Sequence, residues 1–478
     1  MKKITLAFLI STTLTAPIWS QTPNKASIEP VGGEYVFNAS HENCLTEAGR
    51  KEALQNIRQN MALLRQQNSL AIDNNRLGGG AHILFSWPIK KADGLNYNDV
   101  WSISGYLDHN AAYPNQLTDY NCGTKTYDTA AGYNHAGVDI FTWPFGWKMM
   151  DNDEAEIIAG ADGQIIYKSD GQYDRSCSFN NNLWNAVYVQ HSDGSVALYG
   201  HMKNGSLTTK NVGEMVSEGE YLGIVGSSGN STGPHLHFEV YSEVELNGVG
   251  QDILVDPYTG SCNSLNPDSW WNDQKGYINP NINAVLTHSA PPVFPACPTT
   301  EITNESDQFE MDDTIYFALY MRDQVSGTNI NLKIIRPNGT YLYNWTNNFT
   351  ANYTASWWYW YYTGVFDMEG VWKWEATYQG ETVTHEFVIG TLSVDDNTLE
   401  TVSIFPNPVQ DTVTIKTKLN LQQASICDVS GKQIQAISYG ENHNGSYTLN
   451  TASLSNGMYF LTVVAENGKK EVFKLMKR

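Results

Sequence analysis

Two spacings of apolar residues run along this chain and divide it. Between residues 45 and 68, Leu54, Ile57, Met61 and Leu64 recur at intervals of three and four, with charged residues between them. That period gathers them on one face of a helix, so an amphipathic helix is predicted there. Gly78-Gly79-Gly80 closes the segment. From about residue 81 the dominant period is two. Ile157-Ile158 and Ile165-Ile166-Tyr167 flank Asp162-Gly163 as strands flank a hairpin turn. Residues 314–319 and 331–335 alternate in the manner of a β-sandwich. The fold class expected from these periods is mainly β, with a short helical N-terminal segment and β-sandwich modules following the principal domain.

The first 20 residues have a basic start, a short apolar stretch and a small residue near Ser20-Gln21. That is the layout of a Sec-type signal peptide, too short and too early for a membrane anchor. No later apolar run is long enough to cross a bilayer, so no integral membrane span is expected. Pro291, Pro292, Pro295 and Pro298 make residues 290–298 read as a linker. The plan is then a signal peptide (1–20), an N-terminal helical extension or pro-segment (21–80), a principal domain (81–289), the linker (290–298), a β-sandwich module (299–396) and a C-terminal module (397–478). The extension is open to three readings: activation peptide, inhibitory arm or packed extension, the last being the plainest. In Trp357-Trp358-Tyr359-Trp360-Tyr361-Tyr362 only every second ring can face one side. That run therefore reads as sandwich core before it reads as a sugar-stacking platform.

Composition narrows the surroundings. A formal charge of -21 over 478 residues argues against nucleic acid as a partner, which requires basic clusters. Six cysteines suit an oxidising destination. The arrangement considered is Cys122 with Cys177, stapling the rim of the site, and Cys262 with Cys297, leaving Cys44 and Cys427. Spacing alone does not fix that connectivity.

The chemistry is concentrated between Asn134 and Glu239. His135 and Asp139 are four apart, beside Gly137. His201 follows Tyr199-Gly200, and His235 and His237 lie two apart in a stretch that alternates polar and apolar. In a strand both imidazoles of the last pair face one way, while Leu236 and Phe238 face a core. Catalytic zinc commonly takes three protein ligands and leaves a position for water. His135, Asp139 and one histidine of the pair can fill that shell; the other, with His201, is left for proton transfer and oxyanion stabilisation. Tyr199 is a further candidate, as an oxyanion or substrate contact. Any one of these pieces alone would pass for a core or surface pair, but their joint, ordered occurrence does not. Gly226–Gly233 is rich in glycine, yet no lysine follows and no helix begins, so it reads as turns delivering a strand rather than a phosphate cradle.

His135-x-Gly137-x-Asp139, Tyr199-x-His201 and Gly233-Pro234-His235-Leu236-His237-Phe238-Glu239 resemble the lysostaphin/LytM/β-lytic zinc metallopeptidase family over about residues 130–242. The resemblance implies one zinc per chain held by His135, Asp139 and His237, with His201 and His235 catalytic. It also implies a compact antiparallel β domain of the duplicated-hybrid-motif type, and cleavage of peptide bonds in peptidoglycan cross-links or glycine-rich proteins. Residues 169–182 are longer and richer in Asn and Ser than that pattern, and are expected at the rim of the cleft. Phe405-Pro406-Asn407-Pro408, Asp428-Val429-Ser430-Gly431-Lys432 and Leu454-Ser455-Asn456-Gly457-Met458-Tyr459 resemble the C-terminal sorting domain of the type IX secretion system, over about residues 400–478. That implies the type IX machinery as a partner and export through the periplasm to the cell surface or medium. The alternative function is a non-catalytic, peptidase-like protein that binds cell wall or regulates amidases; such relatives typically lack metal ligands, which this chain keeps.

Overall fold

The computed structural model describes residues 29–37, 47–71, 82–178, 182–245, 251–390, 402–429, 431–439, 445–466 and 470–478. The expected signal peptide and Cys44 lie outside them. The protein is mostly β, as the alternating pattern predicts.

An eight-stranded antiparallel sheet carries the principal domain. Its order is Trp101–Gly105, Val138–Thr142, His235–Glu243, Val196–Gly200, Ala186–His191, Gly163–Ser169 and Met215–Val216, with Ile253–Val255 joined to the far end of His235–Glu243. Period two separates its faces. Val138, Ile140, Val187, Val189, Ala197, Tyr199, Leu236, Phe238 and Val240 share one buried core. On the opposite face the helix Glu47–Gln66 lays Ala53, Leu54, Ile57, Met61 and Leu64 against Ile166, Ala186, Tyr188, Leu198 and Tyr241. The predicted apolar stripe is therefore the buried stripe, and it covers part of the same sheet face from which His235 and His237 project.

Two further sheets form the sandwich. One runs Val31–Glu34, Tyr353–Thr363, Thr314–Gln324, Asn281–His288; the other runs Gln308–Phe309, Glu381–Ile389, Gly370–Tyr378, Asn329–Ile335, Tyr341–Asn348. Phe317, Trp360, Trp372, Trp374 and Phe387 fill the space between them. Within the aromatic run Trp360 and Tyr362 are core, whereas Tyr359 and Tyr361 face the other way and sit beside Tyr316. The structure moves two expected boundaries. Residues 281–288 belong by hydrogen bonding to the sandwich rather than to the domain expected to run to residue 289. Residues 290–298 are not a free linker, because Phe294 stacks on Trp143 and Phe145, and Val293 pairs with Ile302.

Both disulfides differ from the arrangement considered above: Cys122 joins Cys262, and Cys177 joins Cys297. The packing explains the exchange. The turn at Cys122 lies on the loop after Tyr258, where Tyr120 stacks on Tyr258 and its carbonyl accepts the Cys262 amide. The rim segment holding Cys177 lies against the 290–298 crossing, whose Pro298 carbonyl accepts from Arg175.

Residues 392–478 are a separate unit with its own core of Val413, Ile415, Leu449, Leu461 and Val463 between a three- and a four-stranded sheet. Cys427, in this unit, is free.

Candidate metal centre

Register places the site. His237 sits opposite Asp139 on one side and Gly200 on the other, so three adjacent strands aim at one point of the sheet face. His135 leads into Val138–Thr142, and Gly137 is required beside it. A Cβ there would lie 2.5 Å from the His237 ring. His201, with φ of 61°, turns off the end of Val196–Gly200 into the same space. His135, His201, His235, His237 and Asp139 are all buried.

Each imidazole is fixed by one nitrogen. His135 Nδ1 lies 2.6 Å from the Tyr106 carbonyl, His201 Nδ1 2.6 Å from the Ser228 carbonyl, and His235 Nδ1 2.8 Å from the Gly233 carbonyl. A carbonyl only accepts, so these nitrogens carry a proton and Nε2 is the atom each ring leaves to receive a metal or a second proton. His237 is reversed: its Nε2 donates to Glu239 Oε2 at 2.9 Å, leaving Nδ1 2.9 Å from Asp139 Oδ1. His135 Nε2 stands 3.2 Å from Asp139 Oδ2. Two ring lone pairs thus converge on one carboxylate, with donor atoms of His135, Asp139 and His237 all within 4.8 Å of one another. Facing lone pairs repel unless a cation or a proton lies between them. The donor set, two nitrogens and a carboxylate with a second histidine pair alongside, fits a divalent metal.

Electrostatics agree. Burial opposes charge on His237, yet its hydrogen bonds to the Asp139 and Glu239 carboxylates outweigh it and push its pKa up to about 9 in the metal-free protein. Asp139 is held well below the usual carboxylate range: burial opposes this, and His135 overcomes it with help from His237. His201 and His235 go the other way, lowered chiefly by burial. Glu239 is held down to about 2, its burial outweighed by Arg50 and His237. Arg50 Nε reaches it at 3.1 Å from the N-terminal helix.

The five expected site residues are brought together, but Tyr199 is not among them. It lies one residue out of phase, on the opposite face of the sheet, where its hydroxyl accepts the Gly160 amide at 2.9 Å in the apolar core. The hydroxyl considered as an oxyanion or substrate contact is therefore turned into the core, away from the metal centre. Residues given no role at the site from the sequence support it: Tyr106, Ser228 and Gly233 through carbonyls, Trp184 against His201 and His237, and Glu239 and Arg50 behind His237. Of these only Glu239 had a signal, since it stands two residues past His237 and shares its face. Of the segment expected at the rim, Arg175 bridges to Ser227 and Ser178 to Ser231, on the turns that lead to His235.

Residues 134–252 match the model of Peptidase family M23, and residues 403–478 that of the Secretion system C-terminal sorting domain. The chain carries an M23 peptidase domain. The chain is 37% identical over 105 residues to the DD-carboxypeptidase/endopeptidase Mpg of Neisseria meningitidis, covering 22% of this chain and 19% of the relative. It is 39% identical over 84 residues to the peptidoglycan DD-endopeptidase ShyC of Vibrio cholerae, covering 18% of each. Cell division protein DipM of Caulobacter vibrioides is 32% identical over 133 residues, 25% of this chain and 21% of that protein. The chain thus spans about a fifth of the length of these relatives. The C-terminal unit is a type IX sorting domain, which indicates export to the surface or medium. No helix among the described residues is long and apolar enough to cross a membrane.

Proposed function

We propose that this protein is an exported zinc endopeptidase that hydrolyses peptide bonds in peptidoglycan cross-links or glycine-rich proteins. The observation that carries the reading is that His135, His235 and His237 each bring one ring nitrogen to Asp139, at 3.2, 3.8 and 2.9 Å, with the His201 ring alongside His235. His135, Asp139 and His237 would hold one zinc through Nε2, a carboxylate oxygen and Nδ1. When bound, zinc supplies Lewis acidity, polarising a carbonyl and acidifying water. His235 Nε2, 3.8 Å from Asp139 Oδ1, lies next to the ligands and accepts the proton of the attacking water. His201, its ring 4.4 Å from that of His235, assists in passing this proton to the leaving amine. Burial keeps both rings neutral, which is the form a base requires. The curated names of the relatives, DD-endopeptidase among them, support peptidoglycan as the substrate class. A purely binding role gives no reason for two neutral, unliganded imidazoles beside a metal shell.

Metal content and hydrolysis measured on the same samples test the assignment. His237→Ala is expected to lose zinc and activity together. His235→Ala is expected to keep most of its zinc and lose turnover by a factor of about 100 to 10,000, the usual range for a general base. Equal zinc loss in both variants would overturn the division of roles, and undiminished hydrolysis after chelation would remove the metal altogether.

A further inference from the structure

The strand Val31–Glu34 does not pair with its sequence neighbours. It adds to the edge of Tyr353–Thr363, with Val31 opposite Tyr359 and Glu34 opposite Ser356, and the Tyr35 amide continues the ladder to the Ala355 carbonyl at 2.9 Å. From there the chain runs onto the metal-bearing face. Tyr35 stacks on Trp143 at 4.3 Å between ring centres. Phe37 stacks on Phe141 at 4.6 Å and sets its edge against the His235 ring at 5.7 Å. Phe141 is the register partner of His235, so Phe37 lies directly over one of the two proposed proton-transfer histidines. A cavity of about 690 Å³ adjoins this path, reaching from Asp139, past Phe37, to Tyr353 and Thr354 of the sandwich.

We propose that the edge of Tyr353–Thr363 and the groove leading from it to His235 form a binding cleft for an extended peptide, and that residues 31–37 occupy it in cis. The inference rests on the peptidase reading above and adds the sandwich module to the substrate site. An open strand edge recognises any backbone in extended form, and selects among sequences through the side chains it can seat. Here the selection is steric. Gly32 has φ of +138°, and a Cβ on it would stand 2.1 Å from the Trp357 carbonyl oxygen, so that position admits glycine alone. Two residues on, Glu34 is followed by the aromatic pair that fills the groove. On the other side of the ligands, Arg50 in the first turns of the helix Glu47–Gln66 holds Glu239, so the N-terminal segment touches the site at both ends.

The test is binding of a fluorescein-labelled peptide with the sequence of residues 29–37 to the full mature chain and to its Gly32→Val variant, with and without zinc. The wild type is expected to bind it weakly, because the cleft is filled. The variant, whose own strand is expelled, is expected to bind at least tenfold more tightly, and a peptide carrying valine at the position of Gly32 is expected not to bind. A folded variant with unchanged affinity would overturn the proposal. If Gly32→Val does not fold, the Tyr35→Ala, Phe37→Ala double variant decides by the same measurement. Binding is read without turnover, so the two readings separate. Tight binding with no hydrolysis by any form sinks the peptidase assignment and leaves the cleft, whereas zinc-dependent hydrolysis without peptide binding does the reverse.

Discussion

The hydrogen bonds that orient each ring set the chemistry of the site, and Glu239 accepts the one that matters most for the metal. It takes the Nε2 proton of His237 and so turns Nδ1 toward Asp139. Replacing Glu239 by Gln keeps the shape and removes the charge; partners of this kind usually contribute 10- to 100-fold in metal affinity. Zinc affinity of Glu239→Gln, measured by competition with a chromophoric chelator, is expected to fall by that factor while the fold persists. The pH dependence follows from the same carboxylates. His237 is pushed up to about 9, so below that pH a proton competes with metal at Nδ1. Apparent zinc affinity is expected to rise about tenfold per pH unit from 7 toward 9 and then level off. In Glu239→Gln the levelling should begin at lower pH, and an unchanged profile would show that Glu239 does not act through His237. At this scale the sequence was legible where spacing carries the information. His235 and His237 two apart, and His135 and Asp139 four apart, could only converge if the intervening residues lay in or led into strands. Tyr199 and His237 end on opposite faces of the sheet because one step along a strand reverses the face, and the spacing of Tyr199 from His201 did not carry that information.

The elements divide into those that a period reveals and those that pairing decides. The helix Glu47–Gln66 was legible because Leu54, Ile57, Met61 and Leu64 repeat at helical spacing over several turns. The strand Val31–Glu34 was not, because two glycines carry no hydrophobic signal and its partner lies more than 300 residues away. The edge of Asn281–His288 was assigned to the wrong module because a strand's period does not say which sheet it joins. Ile57 is fully buried beneath the helix. Its replacement by Ala is expected to destabilise the protein by about 2–5 kcal/mol, read from denaturant unfolding. The bridge Cys177–Cys297 closes a loop of 120 residues. Chain-entropy arguments give such a loop about 4–5 kcal/mol, so Cys177→Ser with Cys297→Ser should lower the unfolding midpoint sharply. A midpoint unmoved would mean that the rim is held by Arg175 and the Ser227 contacts without it.

Over the whole molecule, residues 392–478 have a core of their own, and a chain ending near Ile389 keeps every residue of the metal centre. That truncated protein is expected to retain zinc and hydrolysis yet accumulate in the periplasm; its normal appearance in the medium would sink the export role of the sorting domain. The fastening between the peptidase domain and the sandwich has a different consequence. Phe294 is wedged among Tyr35, Trp143, Phe145 and Trp357, Glu301 accepts the amides of Trp147 and Lys148, and a disulfide locks the crossing at Cys297. Pincers held by so many rivets cannot open wider for a thick object. In the cleft proposed above, passage is expected to be chosen by calibre: a single slender strand should thread through, and a folded chain should have to be unravelled before it reaches the histidines.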